Sequence, residues 1–90
     1  MSIEIIFSKS AAIKAGAHIE AVRIMDSYID EEGQSQTYED DYTTLEIPDL
    51  KVVCYEIANG GITVQASRGG SIKPVLTKWL DSHSIAHTVE

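Results

Sequence analysis

Cysteine is almost missing from this chain: Cys54 is the single one in 90 residues, so no internal disulfide can form and no Cys/His cluster has the spacing of a metal site. Whatever fold forms is held by packing alone. Basic residues are scarce too, seven Lys and Arg against fourteen Asp and Glu, for a formal net charge of −7. Such a chain repels nucleic-acid phosphates and anionic lipid headgroups, so direct nucleic-acid and membrane-surface binding are excluded and basic protein surfaces become the expected partners. Long apolar runs are also absent. The opening Met1–Phe7 goes straight into alternation, without the basic flank and apolar core of a secretory signal, which makes a cytoplasmic location the expectation.

What is present is ordinary for a globular protein, 43% hydrophobic and 23% charged, and 90 residues suit one domain spanning 1–90. Ile3, Ile5 and Phe7 alternate with Glu4, Ile6 and Ser8, the period of a strand over residues 2–8. From Ala11 to Asp30 the period shifts. Ile13, Ala17, Ala21, Val22, Ile24, Met25, Tyr28 and Ile29 fall in one half of a helical wheel, with Glu20, Arg23, Asp26, Ser27 and Asp30 opposite, which predicts an amphipathic helix. That helix starts as late as Gly16 and stops before Gly33. Residues 31–42 carry little apolar content and read as a polar connection.

Thr43–Ile47 is a short β-prone run that Pro48 ends at a sheet edge or bend. Residues 50–66 read as a hairpin: β-branched and aromatic residues on either side of Asn59-Gly60, a pair that tolerates the positive φ of a tight turn. Ser71 is placed to cap a second helix, in which Ile72, Val75, Leu76, Trp79 and Leu80 form one apolar stripe, with Trp79 as a core anchor. Residues 84–89 are either a frayed end or a short edge strand. The fold class expected is α+β, a three- or four-stranded sheet with two helices packed on one face, in the order β-α-(β)-β-β-α with room for a C-terminal edge strand.

Several segments resemble the DinI-like family of small bacterial and prophage proteins induced on DNA damage. Ile3-Glu4-Ile5, Lys9 and Ala15-Gly16-Ala17 are similar to the family's first strand and the approach to its first long helix. Tyr55, Asn59-Gly60, Ile62-Thr63-Val64, Ala66-Ser67-Arg68 and Val75-Leu76 match its hairpin, turn and second helix. The resemblance implies a regulatory protein acting on RecA filaments or an SOS repressor circuit. The chain departs from the pattern in two places. Its connection before the hairpin is longer, and its last helix carries Lys73, Lys78 and only Asp81 where the family's is acidic.

Catalytic chemistry finds no foothold in these residues. His18, His83 and His87 lack the spacing of a metal pair and read as surface or capping residues. Asp30 to Asp41 has the length of a calcium loop, but Ser35 stands where the required glycine belongs. Arg68-Gly69-Gly70-Ser71 reads as a flexible turn and cap before it reads as a phosphate loop, and Cys54 as a buried core thiol. No enzyme activity, cofactor or metal is expected. The acid is concentrated instead: eight carboxylates and no Lys or Arg lie between Asp30 and Asp49. Such a block is either a solvated face or a docking surface. On the second reading Glu31, Glu32, Glu39, Asp40, Asp41 and Glu46 contact a basic protein, RecA or another nucleic-acid-binding protein. A phage-type inhibitor that mimics DNA toward a nuclease or defence complex would use the same surface.

Overall fold

Alternation in residues 2–8 holds, and the strand it builds, β1 (Ser2–Ser8), lies inside the sheet. The computed structural model, which describes residues 2–90, places β5 (Gly61–Ser67) on one side of β1 and β6 (His87–Val89) on the other, both antiparallel. Ile3, Ile5 and Phe7 stand opposite Ala66, Val64 and Ile62, and all six are buried. Apolar residues two apart on neighbouring strands thus share one face.

Ser8 ends the strand and caps α1 (Lys9–Lys14), its Oγ accepting the Ala11 N–H at 3.3 Å. This helix is one turn and a half long because Gly16, at φ +105°, closes it in a Schellman arrangement. Ala17 N–H donates to Ala12 C=O at 3.0 Å and Gly16 N–H to Ile13 C=O at 3.0 Å, while buried Ala12 and Ala17 come together beneath. The glycine expected at the start of a long helix is the end of a short one.

The long amphipathic helix predicted for residues 11–30 is therefore not formed. Residues from His18 to Ile29 are a strand, β2, paired along its whole length with β3 (Ser35–Ile47), which occupies most of the segment predicted to be a polar connection. Both readings suit the same residues. Val22, Ile24 and Tyr28 lie on one face of the ribbon and Ala21, Met25 and Ile29 on the other, so apolar groups on two faces of a strand imitate one face of a helix. The β-branched and aromatic residues of β3, Thr37, Tyr38, Tyr42, Thr43 and Thr44, favour the extended state and supply the partner.

With β4 (Leu50–Glu56) the strands make one six-stranded antiparallel sheet in the order β2-β3-β4-β5-β1-β6. This replaces the expected three or four strands with two packed helices. Asn59 and Gly60 adopt φ of 65° and 75° in the turn between β4 and β5, and Ile57 N–H donates to Gly61 C=O at 3.0 Å. The core joins Leu45, Ile47, Cys54, Ile62 and Val64 of the sheet to Ala12 of α1 and to Leu76 and Leu80 of α2 (Ile72–Ser82). Trp79 is only partly buried, packing on the core's margin with its ring centroid 4.8 Å from that of His83. Ser71 precedes α2 without a side-chain capping bond.

The core ends where β2 and β3 leave the body. From Arg23 to Ile29 and from Ser35 to Asp41 every residue is exposed, and the two strands project as an arm that stretches the molecule to 53 × 28 × 26 Å.

Two packing predictions follow from these burials. Leu76→Ala should lower the unfolding free energy by about 2–5 kcal/mol in urea titrations, whereas Ile29→Ala, at a site 76% exposed, should stay within about 0.5 kcal/mol. Thr63, opposite Tyr55 and Ile6, buries its Oγ1 without a partner; Thr63→Val keeps the shape, removes the unsatisfied hydroxyl and should raise the urea midpoint.

Candidate functional site: an acidic hairpin arm

Charge on this molecule is divided with unusual sharpness. Residues 20–41 hold eight of the fourteen carboxylates and one of the seven basic residues, Arg23. The arm therefore carries the whole formal net charge of −7, and the body, with six residues of each sign, is neutral. A two-stranded ribbon standing alone in water is marginal, so what orders this one has to be local.

Its tip is ordered by Asp30. Gly33 N–H donates to Asp30 C=O at 3.0 Å and Asp30 N–H to Gln34 C=O at 2.9 Å, closing a tight turn in which Gly33 takes φ +80°. Only a residue without Cβ enters that region at no steric cost. The Asp30 carboxylate then accepts from Gln34 N–H at 2.9 Å, Glu32 N–H at 3.0 Å and Gln36 Nε2 at 3.0 Å. These bonds, the Gln34 amide foremost and the Gln36 side chain next, hold its pKa below the ordinary carboxylate range. Asp30 is thus a structural group of the turn, while Glu31 and Glu32 stand free at the apex.

Along the shaft the register sorts the side chains. Arg23 lies opposite Asp41, with Nε 3.0 Å from Asp41 Oδ1 and an Nη 3.9 Å from Glu39 Oε2. Hydrogen bonding and charge from Asp41 raise the Arg23 pKa further. On the opposite face Asp26 stands across from Tyr38 and Ile24 across from Asp40. Tyr38 Oη donates to Asp26 Oδ2 at 3.3 Å, and the Asp26 charge, with a smaller push from Asp40, raises the Tyr38 pKa. Tyr28 leans on Tyr38, ring centroids 6.0 Å apart at 52°.

Of the six carboxylates singled out from sequence, Glu39, Asp40 and Asp41 are consecutive on β3, so Asp40 faces away from the other two. Glu31 and Glu32 sit apart at the tip, and Glu46 is at the root, between His18 on β2 and Lys51 on β4. Arg23, Asp26, Tyr28 and Tyr38 are not brought together by the sequence reading, which puts the first three on a helix and Tyr38 in the polar connection. The signal that would have found them is the pairing of two β-prone runs across a glycine-bearing stretch, Asp30 to Gln34.

Elsewhere the structure offers little chemistry. Among the described residues no three His, Cys, Asp or Glu side chains converge as metal ligands, and no helix is long and apolar enough to cross a membrane. Cys54 is fully buried, and burial pushes its thiol pKa up, away from the reactive thiolate. The body's close ion pair, Lys9 with Glu56, ties α1 to β4 at the surface. Comparison with family models, with curated proteins and with solved structures finds no match for this chain.

Because Asp30 binds its amides as a carboxylate, its contribution to arm order is complete above the ordinary carboxylate pKa and disappears as pH falls through its lowered value. An NMR titration should show the Glu32 and Gln34 amide shifts moving together at a midpoint below that of a free aspartate. Asp30→Ala should abolish this step and reduce amide protection at the tip while leaving the body unchanged.

Proposed function

We propose that this chain is a non-enzymatic binding protein whose β2–β3 arm engages a basic protein surface. The observation that carries the reading is the confinement of the net charge of −7 to a projecting ribbon with no core behind it. Opposite charges steer encounter over roughly a Debye length, about 8 Å at physiological salt, and a rod of carboxylates extends that capture well beyond the body. Proteins that handle nucleic acids expose the cationic surfaces this rod would meet. The DinI-like resemblance puts RecA filaments and the SOS repressor circuit first among them, in a cytoplasmic setting. In this reading the arm takes the part that the resemblance gives to an acidic last helix.

The same arm suits an inhibitor that occupies the nucleic-acid site of a nuclease or defence complex. The two versions share a surface and differ in which basic protein they hold.

The test removes charge without disturbing the turn or the closer Arg23–Asp41 pair. A variant with Glu31→Gln, Glu32→Gln, Glu39→Gln and Asp40→Asn keeps Asp30 and Asp41. Binding to purified RecA, with and without single-stranded DNA, and to basic proteins captured from DNA-damaged bacterial lysate is measured at two salt concentrations. Wild-type affinity should fall steeply with salt, and the variant should lose about tenfold or more at low salt. Undiminished binding by the variant would remove the arm from the interaction.

A further inference from the structure

The two faces of the arm are not equivalent, and the difference specifies what the partner presents. On the face that continues the core side of the sheet, Asp41 and Glu39 already share the Arg23 guanidinium, at 3.0 and 3.9 Å. That face is partly compensated, one guanidinium serving two carboxylates. On the other face neither strand places a Lys or Arg anywhere between residues 20 and 44, yet Asp26 and Asp40 stand as diagonal neighbours across the ladder. Beside them are Tyr38, directly opposite Asp26, and Tyr28, tilted against Tyr38 and 53% exposed.

Asp26 is held in place, Oδ1 accepting from Ser27 N–H at 2.8 Å and Oδ2 from Tyr38 Oη at 3.3 Å. A carboxylate offers about four lone-pair positions, so acceptor capacity remains. Tyr38 is 46% exposed and presents its ring as well as its hydroxyl. Two uncompensated carboxylates flanking an exposed aromatic ring match a planar cation. Arginine fits this arrangement better than lysine, because a guanidinium stacks on a ring while donating in its own plane to carboxylates.

We propose that the arm, acting as the basic-surface binder inferred above, docks through its tyrosine face. An arginine of the partner lies against Tyr38, between Asp26 and Asp40. The arm of a second copy is the wrong occupant, since two arms would set −7 against −7 and the one arginine each arm owns is already engaged. The occupant is an arginine-bearing segment of a basic protein.

The experiment uses the full chain and two synthetic peptides, alternating arginine-serine and alternating lysine-serine of equal length, with anisotropy titrations at low salt. The arginine peptide should bind about fivefold or more tightly than the lysine peptide. Tyr28→Ser with Tyr38→Ser should weaken the arginine peptide by about tenfold, and Tyr28→Phe with Tyr38→Phe by no more than about twofold, because the ring face persists. Met25→Ser with Ile29→Ser, on the partly compensated face, should also stay within about twofold. Asp26→Asn with Asp40→Asn should remove most of the arginine preference. Amide exchange across Ser35–Asp41 checks that each arm remains paired. Equal losses from both faces, or equal affinity for the two peptides, would overturn the tyrosine-face assignment, while the four-carboxylate variant continues to report on the arm itself. Failure of the wild-type chain to bind either peptide overturns both readings.

Discussion

Main-chain pairing of β2 with β3 is the interaction on which the rest depends. Twelve residue pairs, from His18 opposite Glu46 to Ile29 opposite Ser35, run from the sheet out into solvent. At the root, Ile19 and Leu45 belong to the core, so the first pairs are stabilised by burial. Beyond Val22 the ladder has only its own hydrogen bonds, its cross-strand side-chain pairs and the Asp30 turn. A slip of one residue would move Arg23 away from Asp41 and carry the Leu45 side chain out of the core, so the buried root sets the register that the exposed shaft inherits.

That inherited register sorts the chemistry of the shaft. Carboxylates adjacent in sequence are parted by the strand's period of two: Asp40 goes to the tyrosine face, Glu39 and Asp41 to the arginine face. One face is partly compensated by the chain's own Arg23, and the other has no basic residue at all. Confinement of the net charge to the arm also spares the body. Its six charges of each sign leave a neutral core unit, so the self-repulsion of a chain with a net charge of −7 falls where no packing opposes it.

Much of the body was legible because its signals are local. Alternation at Ile3, Ile5 and Phe7, positive φ at Asn59-Gly60 and the stripe through Leu76 and Leu80 each have one solution. The arm is ambiguous in sequence because it has two. Residues 21–29 place apolar groups at 21, 22, 24, 25, 28 and 29, a spacing that satisfies a helical stripe and also populates both faces of an exposed ribbon. Gly16 was equally double-edged. A glycine costs a helix stability in its interior but ends one well, and only the backbone bonds from Ala17 and Gly16 show which role it has. The acid block was recognised, but as a connection, so its carboxylates were grouped by sequence when the strand divides them.

By itself, the sequence determined the charge, the lack of a second cysteine for an internal disulfide, the first and last core elements, and the concentration of carboxylates between Asp30 and Asp49. These follow from composition and from periods that the backbone reads over a few residues. Tertiary structure decided that β2 is a strand, that its partner is β3, and that Asp26 and Asp40 share a face with Tyr28 and Tyr38 while Arg23 engages Asp41 on the other. The physical reason is that a helix satisfies its backbone within four residues, whereas a strand is defined by a partner at any distance along the chain.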